Sequence, residues 1–136
     1  MLPSNRYQRT PSAGNPARTE AWALLEAARE LHLSKDESLE NRRAALRRNW
    51  RLWTIFQASL LEADNKMPPQ VRANLLGLAN FIDRHTAGLL ASGDPDKIDV
   101  LVNINRQISE GLLDGQRSAS APRTPGATVA SLSESA

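Results

Sequence analysis

The sequence contains no cysteine and no long apolar run, and each absence excludes a class of protein. Without Cys, the chain cannot form disulfides, thiolate nucleophiles or cysteine-ligated metal sites. No apolar stretch approaches the roughly 20 residues that a membrane span needs, and the first residues lack the apolar core of a signal peptide. We therefore expect a cytoplasmic protein that does not insert into a membrane.

An excess of positive charge is also missing from the central part of the chain, although the sequence pI is near 9.5. Of the 17 basic and 15 acidic residues, four basic and one acidic lie in residues 1–16 and 116–136, which leaves 13 basic and 14 acidic in residues 17–115. A nucleic-acid-binding domain usually carries a broad positive field. RNA is therefore not expected as a direct ligand of the central region.

Composition divides the 136 residues into three parts. Residues 1–15 are polar, contain Pro3, Pro11 and Gly14 and have little to bury, which predicts a flexible N-terminal arm. Residues 116–136 are rich in Ser, Ala and Pro, which predicts a disordered tail. Residues 16–115 have the apolar content of one small folded domain.

Helical periodicity and helix-boundary residues predict about four helices and no strand. The expected bounds are Pro16 to about Leu33, from a cap at Ser34 or Ser38 to about Ala63, Pro69 to about Ala91, and from a cap at Asp94 with Pro95 to near Gly115. The fold class predicted is all-α, a single small bundle of about four helices with disordered N- and C-terminal tails.

Each predicted helix has an apolar stripe that we expect in the core. The stripes are Ala21, Leu24, Leu25, Ala28 and Leu31; Leu39, Leu46, Trp50, Trp53, Phe56 and Leu60; Val71, Leu75, Leu78, Ile82 and Leu89; and Ile98, Leu101, Val102, Asn105, Ile108 and Leu112. The amide of Asn105 needs hydrogen bonds there, since leaving it unpaired costs roughly 1–3 kcal/mol.

The last helix has a second apolar face, formed by Val100 and Ile104. This face is suited to a partner helix, but packing on the first helix or on a second copy of the chain would use it equally well. The sequence leaves these alternatives, including a homo-oligomer, open.

Motifs for catalysis or metal binding are absent, so we expect no enzyme, no cofactor and no metal site. There is no Gly-rich phosphate loop, nucleophile elbow or HExxH. His85 has no His or carboxylate three or four residues onward to share a metal. We expect a packed His85 that hydrogen-bonds a neighbouring helix.

Five arginines lie within ten residues of the second helix, Arg42, Arg43, Arg47, Arg48 and Arg51. Arg43, Arg47 and Arg51 lie largely opposite the apolar stripe, where a solvated face is the simplest explanation. Contact with an acidic partner or with RNA is the alternative.

An ordered set of motifs resembles the FlaF family of bacterial flagellar biosynthesis regulators. The set comprises Tyr7-Gln8 with Asn15, Pro16, Arg18 and Glu20; Asn41-Arg42-Arg43; Asn49-Trp50-Arg51-Leu52-Trp53; Met67-Pro68-Pro69 with Val71, Arg72 and Leu75; Phe81-Ile82 with Arg84-His85-Thr86; and Ile98-Asp99 with Leu101, Asn103-Ile104-Asn105-Arg106, Ile108 and Gly111-Leu112. Residue 67 is Met where the family usually has Leu, and residues 116–136 have no counterpart.

The resemblance implies a regulator that binds unassembled flagellin, as a flagellin-specific chaperone and regulator of flagellin synthesis and secretion. The alternative it implies is a post-transcriptional regulator that contacts flagellin mRNA, or the regulator FlbT, through the Arg-rich helix. For the first function we expect a groove beside the last helix, since the terminal segments of flagellin are amphipathic helices in the filament. The expected site is Trp53, Val100 and Ile104 as apolar anchors, with Arg84, Asn103 and Arg106 as the polar rim, and His85 and Asn105 supporting its shape.

Overall fold

A computed structural model describes residues 16–120 of the chain, and the side chains of residues 17–115. These residues form four α-helices, α1 Pro16–Ser34, α2 Leu39–Leu61, α3 Pro69–Ser92 and α4 Pro95–Ser120, and contain no strand. The prediction of an all-α bundle of about four helices is confirmed. The predicted arm, residues 1–15, and tail residues 121–136 lie outside the described residues.

Local side chains explain where the helices begin and end. Ser38 is the cap of α2, and its hydroxyl accepts a 3.1 Å hydrogen bond from the Asn41 N–H. Ser34, the other candidate for this cap, donates to the Leu31 carbonyl at 2.7 Å and therefore belongs to α1. Gly93 ends α3 in the left-handed conformation, with φ of 64°, which favours glycine.

The fourth helix is longer than the sequence predicts. The sequence predicts that the helix ends near Gly115, because glycine weakens a helix, but α4 continues to Ser120. Gly115 has a normal helical φ, and Gly93 is the only glycine with a positive φ among the described residues. The first five residues of the predicted disordered tail are therefore helical.

Helices that are consecutive in sequence run antiparallel, and polar contacts between side chains show which turns lie side by side. Arg48 of α2 pairs with Glu30 of α1 at 2.7 Å, and Trp50 Nε1 of α2 donates to Asp83 of α3 at 2.7 Å. The first and last helices make the most extensive contact in the bundle. Small buried residues on both helices, Ala21, Ala28 and Ser109, allow that close approach.

The core joins apolar residues from all four helices. Its fully buried members include Leu24, Leu31, Leu46, Trp53, Leu60, Ile82, Leu89, Ile98 and Leu101. The core prediction is wrong for Leu25 and Leu39, because each is 39% exposed. Leu25 lies at the edge of the buried stripe of α1, and Leu39 begins α2 beside Gly93 rather than inside the bundle.

Candidate functional site

A buried hydrogen-bond network links three helices at the centre of the bundle. Asn105 of α4 accepts from Trp53 Nε1 of α2 at 2.9 Å through its Oδ1. Its Nδ2 donates to Asn49 Oδ1 of α2 at 2.7 Å and to the Leu24 carbonyl of α1 at 3.3 Å. Asn105 thus makes the interhelical bonds that its place in an apolar stripe requires.

The network has a fixed direction, because the indole N–H of Trp53 can only donate. Asn105 must therefore present Oδ1 to Trp53 and Nδ2 to Asn49, which in turn must present Oδ1 to Asn105. This leaves Asn49 Nδ2 at the end of the chain of bonds, buried and without an acceptor among the described residues. A buried unpaired amide costs free energy that a bound acceptor would recover.

Asn49 also lines a cavity of about 190 Å³ between α1 and α2, which we call the α1/α2 slot. Trp22, Ala23, Glu26, Ala27 and Glu30 line it from α1, and Ala45, Arg48, Asn49 and Leu52 from α2. The slot therefore combines an apolar wall, two carboxylates, the guanidinium of Arg48 and one buried amide.

The seam between α3 and α4 forms a second candidate surface, and these neighbouring helices make less extensive contact than the other consecutive pairs. His85 Nε2 of α3 lies 2.9 Å from the Lys97 carbonyl of α4, and since a carbonyl only accepts, the ring nitrogen donates. Phe81 stacks on His85 with ring centroids 5.2 Å apart. One hydrogen bond thus joins the helices near the Gly93 turn, and the stacking of Phe81 within α3 supports the His85 ring that makes it.

Farther from that turn, the seam is lined by half-buried apolar residues. Leu78 lies seven residues before His85 and Ile104 seven residues after Lys97, so each shares a helix face with a member of that bond. Both side chains are half-buried and pack against the core. Val100, one turn before Ile104, is 39% exposed. We call Leu78, Phe81, Val100 and Ile104 the α3/α4 seam.

Of the three residues predicted to form the polar rim, Arg84 and Asn103 lie beside this seam and Arg106 does not. Asn103 is exposed and shares a helix face with Val100, and Arg84 is exposed one turn after Phe81. Arg106 is exposed but follows Ile104 by two residues, which turns it roughly 160° to 200° around α4. The prediction that Arg106 and Ile104 line one groove is therefore wrong.

Trp53 is also wrong as a surface anchor. Its side chain is 1% exposed, stacks edge-on against Phe56 with centroids 5.4 Å apart and is bonded to Asn105. A partner cannot touch it without opening the core. The sequence identified a large apolar residue at helical spacing, but that spacing reflects a place in the core.

The arginine cluster is largely occupied by contacts within the bundle. Arg42 Nε donates to the Gly93 carbonyl at 3.0 Å, and Arg43 Nε donates to the Leu90 carbonyl at 2.9 Å. Both cations satisfy carbonyls at the C-terminal end of α3, where the helix dipole favours positive charge. Arg43 is half-buried in this contact, so its assignment to a free acidic-partner or RNA face is wrong.

Of the three arginines predicted to form an acidic-partner or RNA face, Arg47 and Arg51 make no hydrogen bond or ion pair within the described residues. Both are exposed and one helical turn apart on α2. Arg48 pairs with Glu30, but both side chains are about half exposed, and such surface pairs contribute roughly 0–1 kcal/mol. The charge available for a partner on α2 is therefore small.

Glu20 of α1 is a half-buried carboxyl that faces Ser59 of α2. Burial raises the pKa of Glu20 above its ordinary value, and the hydrogen bond with Ser59 opposes that rise. Among residues 16–120, Glu20 belongs to no group of three or more His, Asp or Glu side chains that could hold a metal ion.

Sequence reasoning missed the role of Asn49 and the α1/α2 slot. Asn49 lies three residues after Leu46 and four before Trp53, so the helical spacing did place it on the buried stripe. The apolar pattern favours Trp50 on that stripe instead, because Trp is large and apolar, but Trp50 is half-buried and directs its indole N–H to Asp83. No sequence signal indicates the slot, which depends on how α1 and α2 pack.

Within the described part of the chain, no helix is both long and apolar enough to cross a membrane.

In comparison with known proteins, the chain matches the model of one protein family. The model of the family described as "Flagellar protein FlaF" matches residues 3–112. Neither a curated protein nor a solved structure matches the chain.

Proposed function

This chain belongs to the FlaF family of flagellar proteins, and we propose that it binds unassembled flagellin as a flagellin-specific chaperone and regulator of flagellin synthesis and secretion. The observation that carries this proposal is the α3/α4 seam. It offers half-buried and exposed apolar side chains between two helices that make little contact with each other.

The chemistry of the seam matches an amphipathic helix. Such a helix buries its apolar stripe in a groove lined by anchors about one turn apart, which is the spacing of Val100 and Ile104 on α4 and of Leu78 and Phe81 on α3. Unassembled flagellin has terminal segments of this kind, and covering them before export prevents their premature association. Arg84 and Asn103 flank the apolar residues, where they can bond a polar edge of the partner.

The supporting groups keep the seam in shape. The bond from His85 to the Lys97 carbonyl fixes the two helices near the Gly93 turn, and Asn105 ties the other side of α4 to α1 and α2. The two helices are therefore held together by a hydrogen bond near the Gly93 turn and make little contact elsewhere. We assign His85 and Asn105 this supporting role.

Titration calorimetry of the full chain with monomeric flagellin tests the proposal, with flagellin lacking its terminal segments as the control. We expect binding that requires those segments and changes little between about 50 and 500 mM salt, because apolar contact is not screened. Binding that persists without the terminal segments, or no binding to either form, contradicts the proposal.

The alternative function is contact with FlbT or flagellin mRNA through the Arg-rich helix α2. Exposed Arg47 and Arg51 support it, but three of the five arginines are engaged within the bundle. An interaction with RNA through these residues would weaken steeply with salt. The same calorimetry with the message in place of flagellin separates the two functions.

A further inference from the structure

The α1/α2 slot holds a polar group that the bundle leaves unused. Asn49 is 0% exposed, and its Nδ2 has no hydrogen-bond partner among residues 16–120. The opposite end of the same amide is fixed by Asn105, so a flip of the amide would break the 2.7 Å bond and set two donors against each other. Asn49, which lines the slot, therefore carries an unused and covered donor whose direction the core determines.

The rest of the lining supplies acceptors and an apolar wall. Glu26 and Glu30 lie one turn apart on α1 and both line the slot. Glu30 is held by Arg48, whereas Glu26 is exposed and has no hydrogen bond or ion pair within the described residues. Trp22 and Leu52 provide the apolar wall.

These groups select against most ligand chemistries. A carboxylate or phosphate would lie against Glu26 and Glu30, because the one cation of the lining, Arg48, already pairs with Glu30. An ammonium group has no lone pair for the Asn49 N–H. A purely apolar group would leave that N–H unpaired. The ligand must accept a hydrogen bond from Asn49 and must not repel the carboxylates. A primary carboxamide does both, because its oxygen accepts from Asn49 while its NH₂ donates to a carboxylate.

The volume of the slot limits the size of the group that it can bind. About 190 Å³ is below the roughly 300–1,000 Å³ of pockets for drug-sized ligands, so the slot suits one side chain. Asn49 is fully buried, which favours the longer side chain of glutamine over that of asparagine, and the glutamine methylenes would pack on Trp22 and Leu52. We propose that the α1/α2 slot binds a glutamine side chain presented by a polypeptide partner.

The free protein covers the Asn49 N–H, so one rim side chain must turn aside for the ligand to reach it. Arg48 is suited to this movement, since its side chain is 57% exposed and its pair with Glu30 is exposed as well. The slot lies between α1 and α2 and shares no residue with the α3/α4 seam. A test of glutamine binding in the slot is therefore independent of whether the α3/α4 seam binds flagellin.

The test uses ¹⁵N NMR of the full chain, with the side-chain amide signal of Asn49 as the reporter. The probe is glutamine blocked as its N-acetyl, N′-methylamide derivative, and the matched probes are the glutamate and norleucine derivatives, which share its backbone groups. We expect a saturable shift with the glutamine probe and at least tenfold weaker binding of the other two at neutral pH. Ala23→Leu, which fills the slot without replacing Asn49, should weaken glutamine binding at least tenfold.

Several results would overturn the proposal. An Asn49 signal that none of the probes moves means that the slot holds water only. Equal shifts with glutamine and norleucine mean that the amide is not recognised. An NOE between the Asn49 amide and residues 1–15 in the free chain means that the protein's own arm fills the slot. A folded Ala23→Leu variant, by circular dichroism, that still binds glutamine places the probe elsewhere.

Discussion

Trp53 Nε1 donates a 2.9 Å hydrogen bond to Asn105 Oδ1 inside the core, where neither residue is more than 1% exposed. The bond joins α2 to α4 and sets the orientation of both buried asparagine amides, because tryptophan only donates. An apolar stripe alone would let α4 slide along its neighbours. The amide of Asn105 permits only the register in which Trp53, Asn49 and the Leu24 carbonyl are all within reach.

Asn105→Ala should destabilise the fold strongly. The change leaves Trp53 Nε1 and Asn49 Oδ1 buried without a partner and adds a small cavity, which together cost about 2–4 kcal/mol. Asn103→Ala, the same substitution at an exposed position of α4, should stay within about 0.5 kcal/mol. Urea unfolding followed by circular dichroism measures both, and equal midpoints would contradict a stabilising network.

Gly93→Ala tests the turn between α3 and α4. Gly93 has a φ of 64°, and an added Cβ would overlap Leu39 Cδ1, so we expect a loss of about 1–2 kcal/mol. Gly88→Ala is the matched control, because the Cβ meets nothing within 4 Å. It should instead stabilise α3 by about 0.5–1 kcal/mol. Thermal unfolding readily distinguishes the opposite signs, and two changes of the same sign would contradict this account of the turn.

Helix existence and most boundaries were predictable because local chemistry determines them. Pro69 and Pro95 begin helices where a missing N–H costs nothing, and Ser38 and Gly93 act within one turn of their own position. The end of α4 was not predictable from Gly115. The cost of a helical glycine is only about 1 kcal/mol, which other contributions easily override.

Placement of side chains between interior and surface was less predictable, because it depends on which helices become neighbours. The spacing of α2 allowed either Asn49 or Trp50 on the buried stripe, and only the position of Asn105 on α4 makes an asparagine suitable there. Arg43 is likewise engaged by a carbonyl 47 residues away. The α1/α2 slot and the α3/α4 seam are gaps between helices, which no single helix encodes.

Glu20→Gln should raise stability at neutral pH. Burial raises the pKa of Glu20 in the folded state above its unfolded value, so the folded protein binds the proton more tightly. The stability from this group is present at low pH and is lost as the pH rises through the folded-state pKa. The gain from Gln should therefore disappear when unfolding is measured below about pH 4, the ordinary pKa of a glutamate. Glu26→Gln, exposed on the same helix, is the control, and a pH-independent gain at residue 20 would contradict this account.

Combining Arg47→Gln and Arg51→Gln should leave flagellin affinity unchanged, because both side chains lie on α2 away from the α3/α4 seam. If instead the α2 face binds RNA, the double variant lowers RNA affinity and reduces the slope of log K against log salt by about 2, one unit for each phosphate that is no longer neutralised. Calorimetry with flagellin and filter binding with flagellin mRNA, each at two salt concentrations, measure the two effects. A large loss of flagellin affinity would place the flagellin site on α2.

Val100→Asp and Ile104→Asp should each weaken flagellin binding at least tenfold, or by about 1.4 kcal/mol. Each places a charge in the apolar part of the seam, where the partner helix cannot solvate it. Ile55→Asp is the matched control, since Ile55 is 62% exposed on α2 and should keep normal affinity. Val100 is itself exposed, so its variant should keep the fold, and circular dichroism checks this. Normal flagellin affinity in a folded Val100→Asp variant would move the binding site away from α4.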